Sequence, residues 1–350
     1  MVESKKRLKY LDAMRAFTMF LVVMQHVDTS VLPGFYLPIH KILILVRMPM
    51  FFFISGYIGY KAYDYWTRDN YVARLKKKAF VQLVPASIFF VLGAMLFGQD
   101  PVALFAHTGF GKYWFTYVLF YMFCIYFTMS YAFRRLQASA QWLSIALLAL
   151  SMLMWLFYVR SSLHHLSNAI WSTLFANRLC HYFVFFVAGM HCRKHQRTFH
   201  RIVSHPLGIC SITAGFAGCI VIIFGLLMTT RVNAYFNYAI QQLITCLLGI
   251  IVVYAIFYGL RNVLDNGSRV SNALAFAGRR TLDVYLLHYF FIPRHAPYLA
   301  FDFAGISSTW ANVLISIGMT LVIYALCLGV SRLIRFSPTL AHWMLGANKQ

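Results

Sequence analysis

Runs of about twenty apolar residues, separated by short polar connections, recur along the whole chain. Ten can be read, at approximately 12–32, 40–60, 79–98, 113–133, 140–159, 172–192, 206–228, 238–260, 271–292 and 309–331. The sixth is the least regular, being interrupted by Asn177 and Arg178. As a helix, each run is long enough for a hydrocarbon core of about 30 Å. Lipid offers the backbone no hydrogen-bond partners, so helices are what such runs must form. The pattern predicts an all-α, polytopic membrane helical bundle of about ten transmembrane helices, forming one integral-membrane domain over 1–350.

Composition agrees with that class. Of the 350 residues, 61% are hydrophobic and 11% charged, and the mean hydropathy is +0.66. Soluble domains carry about 25% charged residues. Lys and Arg number 31 against 9 Asp and Glu, a net charge of +22. In a soluble chain that excess would point to nucleic acid; here it sorts by the positive-inside rule, and no nucleic-acid partner is expected. With the N-terminus in the cytoplasm, 24 of the 31 basic residues fall in cytoplasmic connections or at cytoplasmic span ends. Seven (Lys41, Arg47, Lys112, Arg160, Arg178, Arg231 and Arg294) fall outside or towards the outer side. Ten spans with both termini cytoplasmic therefore fit best. The first run is too long, and lacks the small-residue cleavage site, for a removed signal peptide. The seven cysteines show no CxxC spacing and read as small buried hydrophobes. His164 and His165 are adjacent and cannot form a metal-binding face like that of HExxH, so no metal is expected. No internal repeat supports a transporter built from inverted halves. The tail 337–350, with Trp343, suits the membrane interface.

Three places carry polar residues where lipid makes them costly. In the first run Arg15 and His26 are eleven residues apart, which returns them to one helix face about 16 Å apart along the axis, with Asp12 near the same stripe. Intramembrane charge of this kind points to function. Histidine suits abstraction of a hydroxyl proton near neutral pH, and the arginine fork suits phosphate or carboxylate. An Asp12–Arg15 interfacial pair, with His26 as a packing hydrogen bonder, is the structural alternative. In the second run RMPMFFFISGYIGY puts Arg47 beside Pro49, then Ser55 and Gly56. Arg47 either belongs to a pocket or snorkels outward. After it, Arg74, Lys76, Lys77 and Lys78 form a basic cluster suited to the phosphates of a donor such as coenzyme A, and equally to orientation or anionic lipid. In the ninth run Asp283, Tyr285 and His288 share one helix, as pocket wall or as helix–helix glue.

Five segments together carry a resemblance. LDAMRAFTMFLVVMQH (11–26), RMPMFFFISGYIGY (47–60), KYWFTYVLFYMF (112–123), RLCHYFVFFVAGM (178–190) and GRRTLDVYLLH (278–288) occur in the order, and with the character, of the motifs of membrane-bound acyltransferase family 3. The chain resembles that family over nearly its whole length, as a form without a fused SGNH domain. The resemblance implies transfer of an acyl group, usually acetyl from acetyl-CoA, to a hydroxyl of a cell-envelope polysaccharide or lipid-linked saccharide. It implies His26 as catalytic base or transient acyl carrier and Arg15 as its partner. Arg74, Lys77 and Lys78 would bind the donor, although lysines stand where relatives often have a second arginine. Asp12, Arg47, Ser55, Trp114, Tyr285 and His288 are candidates for the substrate pocket. Arg47 stands where relatives often carry histidine. The implied setting is a bacterial cytoplasmic membrane, with membrane lipid around the protein, no permanently bound cofactor and a separate extracytoplasmic acyltransferase for any further transfer. A non-enzymatic carrier or flippase of a lipid-linked glycan is the competing reading. Aromatic residues at 18% suit sugar stacking in both.

Overall fold

A computed structural model describes residues 8–32, 38–163, 174–228, 234–293 and 308–347. Nine of the ten apolar runs each become one helix: α1 (Lys9–Val31), α2 (Pro38–Gly59), α3 (Arg68–Leu96), α5 (Trp114–Arg135), α6 (Ala140–Leu163), α7 (Ala176–Lys194), α9 (Pro206–Met228), α10 (Ala234–Gly259) and α14 (Thr309–Ile334). Short helices fill three connections, α4 (Pro101–Thr108), α8 (Gln196–Ser204) and α11 (Arg261–Asp265), and α15 (Pro338–Leu345) forms in the tail. Pro49 lies inside α2 without ending it.

The ninth run departs from the expected single span. It divides at Arg280, where ψ of 13° leaves the helical ladder, into α12 (Arg269–Arg279) and α13 (Thr281–Phe291). The 11 residues of α13 reach only about 16 Å, roughly half the apolar core. The apolar count of 271–292 hid this break, because α12 is amphipathic rather than uniformly apolar. Among the described residues, five helices are individually long and apolar enough to cross a membrane, and six spans result if Gln196–Ser204 and Pro206–Ile222, bent by 82°, count as one. α1 is outside that set because Asp12, Arg15, Gln25, His26 and Asp28 dilute its apolar character.

Chain contacts define two compact units. The first comprises Met1–Phe51, His200–Thr229 and Gln241–Leu333; the second comprises Phe52–Phe199, Thr230–Ile240 and Ile334–Gln350. In the first, α12 lies along α1, with α11 and α13 also against it. The approach is backbone-close: a Cβ on Gly278 would sit 1.9 Å from the Asp12 carbonyl oxygen. In the second, α7 packs on α6 and α5, and α3 on α5. Here Gly56 and Gly189 let α2 and α7 touch, since a Cβ on either would come within 2.0 Å of a carbonyl oxygen, of Phe186 and Phe53 respectively. Small residues at such contacts are how membrane helices gain packing where lipid supplies no hydrophobic drive. α15 closes on α3 through Phe80 and His342, stacked at 4.4 Å. Trp343 beside it is 48% exposed.

The outer faces are apolar. Trp310, Leu314, Leu321, Val322 and Leu333 of α14 are each more than half exposed, as are Trp142, Ile145 and Leu153 of α6. Exposure on this scale would make a soluble protein aggregate, and suits a face solvated by lipid. Gly189→Leu is expected to cost about 1–3 kcal/mol of stability, typical of overpacking, read as a lower thermal unfolding midpoint in detergent. Gly218→Ala, with nothing within 4 Å of the added methyl, is expected to stay within about 0.5 kcal/mol of wild type.

Candidate active site

The break at Arg280 puts the first residue of α13 against α1. Arg15 NH2 donates to Thr281 Oγ1 at 2.9 Å, and Arg15 NH1 lies 3.9 Å from Asp12 Oδ1. Asp12 is only 3% exposed. The Asp12–Arg15 pair of the structural alternative therefore forms, and a hydroxyl from α13 completes it. A carboxylate in an apolar site needs such a partner.

His26 lies three turns further along α1. Its Nε2 is 3.2 Å from the Tyr289 hydroxyl, and its ring centroid is 5.0 Å from that of Tyr289 and 5.3 Å from that of His288. His288 is wholly buried. Its Nδ1 donates to the Val284 carbonyl at 3.0 Å. In a neutral ring that leaves the lone pair on Nε2, which is buried without a hydrogen-bond partner. Tyr285 lies 6.1 Å from His288, ring to ring. One face of α13 thus meets both ends of the α1 stripe, Thr281 at Arg15 and Tyr289 at His26. The arrangement can hold an anionic group near the guanidinium and move a proton among imidazole and phenol groups.

Further side chains fix these helices. Asp283 lies 3.6 Å from Arg280 and accepts from Ser331 Oγ of α14 at 2.5 Å. Asp28, two residues past His26, accepts from Ser316 of the same helix.

The remaining candidates divide between the units. Arg47 is half-buried on α2 in the first unit. Ser55, Trp114, Arg74, Lys77 and Lys78 belong to the second. Thr67 caps α3 by accepting from the Asn70 amide at 3.3 Å, which sets the basic cluster in the early turns of that helix. Arg74 Nε donates to Tyr65 Oη at 2.8 Å, with its guanidinium carbon 5.2 Å from the Tyr65 ring. Lys78 Nζ lies 3.7 Å from the Phe123 ring centroid, whereas Lys77 is exposed. Trp114 carries the Arg178 guanidinium at 4.2 Å on its ring and stacks with Tyr182 at 5.7 Å. Ser55 is half-buried.

The sequence pattern missed Thr281, Tyr289, Asp28 and Tyr65. Tyr289 directly follows His288, and its adjacency was the one signal that could have found it. His164 and His165 lie outside the described residues, and among the described residues no group of three or more His, Cys, Asp or Glu could hold a metal ion.

Compared with known families, residues 8–332 match the model of acyltransferase family 3, described as an acyltransferase domain. No curated protein and no solved structure matches the chain.

Ser331→Ala is expected to cost about 1.5–3 kcal/mol, the range for a hydrogen bond to a charged group. Thermal unfolding in detergent reads it, and an unchanged midpoint would show that Asp283 does not depend on α14.

Proposed function

Matching that family over residues 8–332, the chain belongs to acyltransferase family 3 and is a multi-pass membrane acyltransferase, and we propose that it moves acetyl from acetyl-CoA to a hydroxyl of a cell-envelope polysaccharide or lipid-linked saccharide. The proposed setting is the cytoplasmic membrane of a bacterium. Family membership removes the non-enzymatic carrier reading.

The observation that carries the residue assignment is the contact of His26 with Tyr289, on the helix that also holds Arg15. In the proposed step the imidazole nitrogen bearing the lone pair takes the proton of the acceptor hydroxyl. The acceptor oxygen bonds to the thioester carbonyl carbon, the carbon–sulfur bond breaks, and coenzyme A leaves as thiolate and regains a proton. A transient acyl-His26 would divide the same exchange into two transfers. Tyr289 fixes the ring orientation and, by donating or accepting, selects which nitrogen bears hydrogen. Arg15, positioned by Asp12 and Thr281, supplies positive charge along the same face. For the donor, Arg74, Lys77 and Lys78 are the proposed phosphate-binding residues. The bond to Tyr65 uses only Nε of Arg74, which leaves the NH1 and NH2 edge of the fork suited to a phosphate. Arg47, Tyr285 and His288 in the first unit, and Ser55 and Trp114 in the second, remain proposed for contact with the acceptor.

The test is thiol release from labelled acetyl-CoA in membranes supplied with envelope glycan, with label followed into the glycan. His26→Ala is expected to lower transfer by about 10²–10⁴-fold, the usual contribution of a positioned base, while the protein remains inserted. Tyr289→Phe keeps the imidazole but loses its partner, so kcat is expected to fall by less than in His26→Ala, with the KM for acetyl-CoA held. Full activity in His26→Ala would overturn the assignment.

A further inference from the structure

A cleft in the second unit is used by none of the roles above. It is a shallow cleft, with about 380 Å³ of empty space when the solvent it opens to is counted. Tyr60, Tyr63, Trp66 and Tyr126 form its aromatic walls, and Lys61 and Lys194 supply positive charge. Among the described residues, no acidic side chain lines it. Trp66 and Tyr126 meet edge to face at 5.4 Å. The Lys61 amide donates to Tyr126 Oη at 3.0 Å, which holds the connection after α2 against α5. Lys194 donates to the Ala140 carbonyl at 3.2 Å and to Ser144. Three connections therefore converge here: the one after α2, the one before α6 and the end of α7. All three are ones that the distribution of basic residues assigns to the cytoplasm.

The cleft also adjoins the basic cluster. The Tyr65 ring has Lys61 Nζ at 5.8 Å and the Arg74 guanidinium carbon at 5.2 Å from its centroid, and meets Trp66 at 5.5 Å. One tyrosine so links a cation of the cleft to the arginine proposed to hold donor phosphates. Rigid aromatic faces beside cations recognise a flat ring that carries phosphate, because every nucleobase has a stacking face and the cations meet its phosphates. A flexible acyl chain gains nothing from such faces that ordinary apolar side chains would not provide.

We infer that this cleft binds the 3′-phosphoadenosine portion of the coenzyme A donor, with the base against the aromatic walls and its phosphates reached by Lys61 and Arg74. This deepens, and rests on, the donor reading above.

The experiment uses the full chain in lipid nanodiscs. Affinities are measured for coenzyme A, for 3′,5′-ADP and for 4′-phosphopantetheine, which lacks the nucleotide. Light-activated 8-azido-coenzyme A maps the contact. Ala140→Trp puts an indole into the cleft from the half-buried start of α6. Expected are a crosslink within 60–66 or 140–147, and a preference for coenzyme A over 4′-phosphopantetheine that falls about tenfold in the variant, the scale of one lost base stack. Should Ala140→Trp not fold, Lys61→Gln makes the same comparison. An unchanged preference with crosslinks elsewhere overturns the cleft and leaves the donor reading standing. Failure of wild type to bind either coenzyme A or 3′,5′-ADP overturns both. Loss of a bound anionic lipid from Ala140→Trp in native mass spectrometry, with the preference unchanged, overturns the nucleotide assignment in favour of a lipid headgroup.

Discussion

A charge inside an apolar helix persists only if a partner is held against it, from the same helix or a neighbouring one, and the first unit is organised around that requirement. The chain has only nine acidic residues, and three of them, Asp12, Asp28 and Asp283, are buried there. Each is matched: Asp12 by Arg15, Asp28 by Ser316, and Asp283 by Arg280 and Ser331. Burying an ionised carboxylate without such partners would cost several kcal/mol or more, so these groups set the register of α1, α13 and α14. Gly278 serves the same end, since any side chain there would drive α12 off the Asp12 carbonyl and carry Thr281 away from Arg15.

That requirement explains which parts of the site could be read from sequence. The Arg15–His26 stripe is local to one helix, so its spacing alone revealed it, and the pairing of Asp12 with Arg15 followed from an i,i+3 separation. Thr281 and Tyr289 lie more than 260 residues from the groups they bond, and no periodicity encodes such a meeting. The break at Arg280 was equally hidden. A run of apolar residues looks continuous whether or not the backbone turns within it, and the turn here is fixed by packing on α1. The helical class was legible because lipid-facing surface must be apolar everywhere. The family motifs gained a physical meaning only in three dimensions: the glycines after Ser55 and near the end of α7 are where two backbones touch.

The second unit manages its cations differently. With few carboxylates to pair them, Arg74, Lys78, Arg178 and Arg193 lie instead against the rings of Tyr65, Phe123, Trp114 and Tyr57. Cation–π contacts compensate a desolvated cation without adding an anion. A chain with net charge +22 gains from this, because aromatic partners leave its positive potential intact for anionic ligands.

The two strategies suit two kinds of chemistry. Proton transfer needs groups held at fixed distance and protonation state, which the carboxylate–hydroxyl and imidazole–phenol contacts of the first unit provide. Binding a polyanion needs unneutralised positive charge near apolar surface, and the aromatic-backed cations of the second unit have that character. An acidic residue placed beside Arg74 would stabilise that arginine and at the same time cancel its positive field. The scarcity of carboxylates is therefore itself part of how such a site would work.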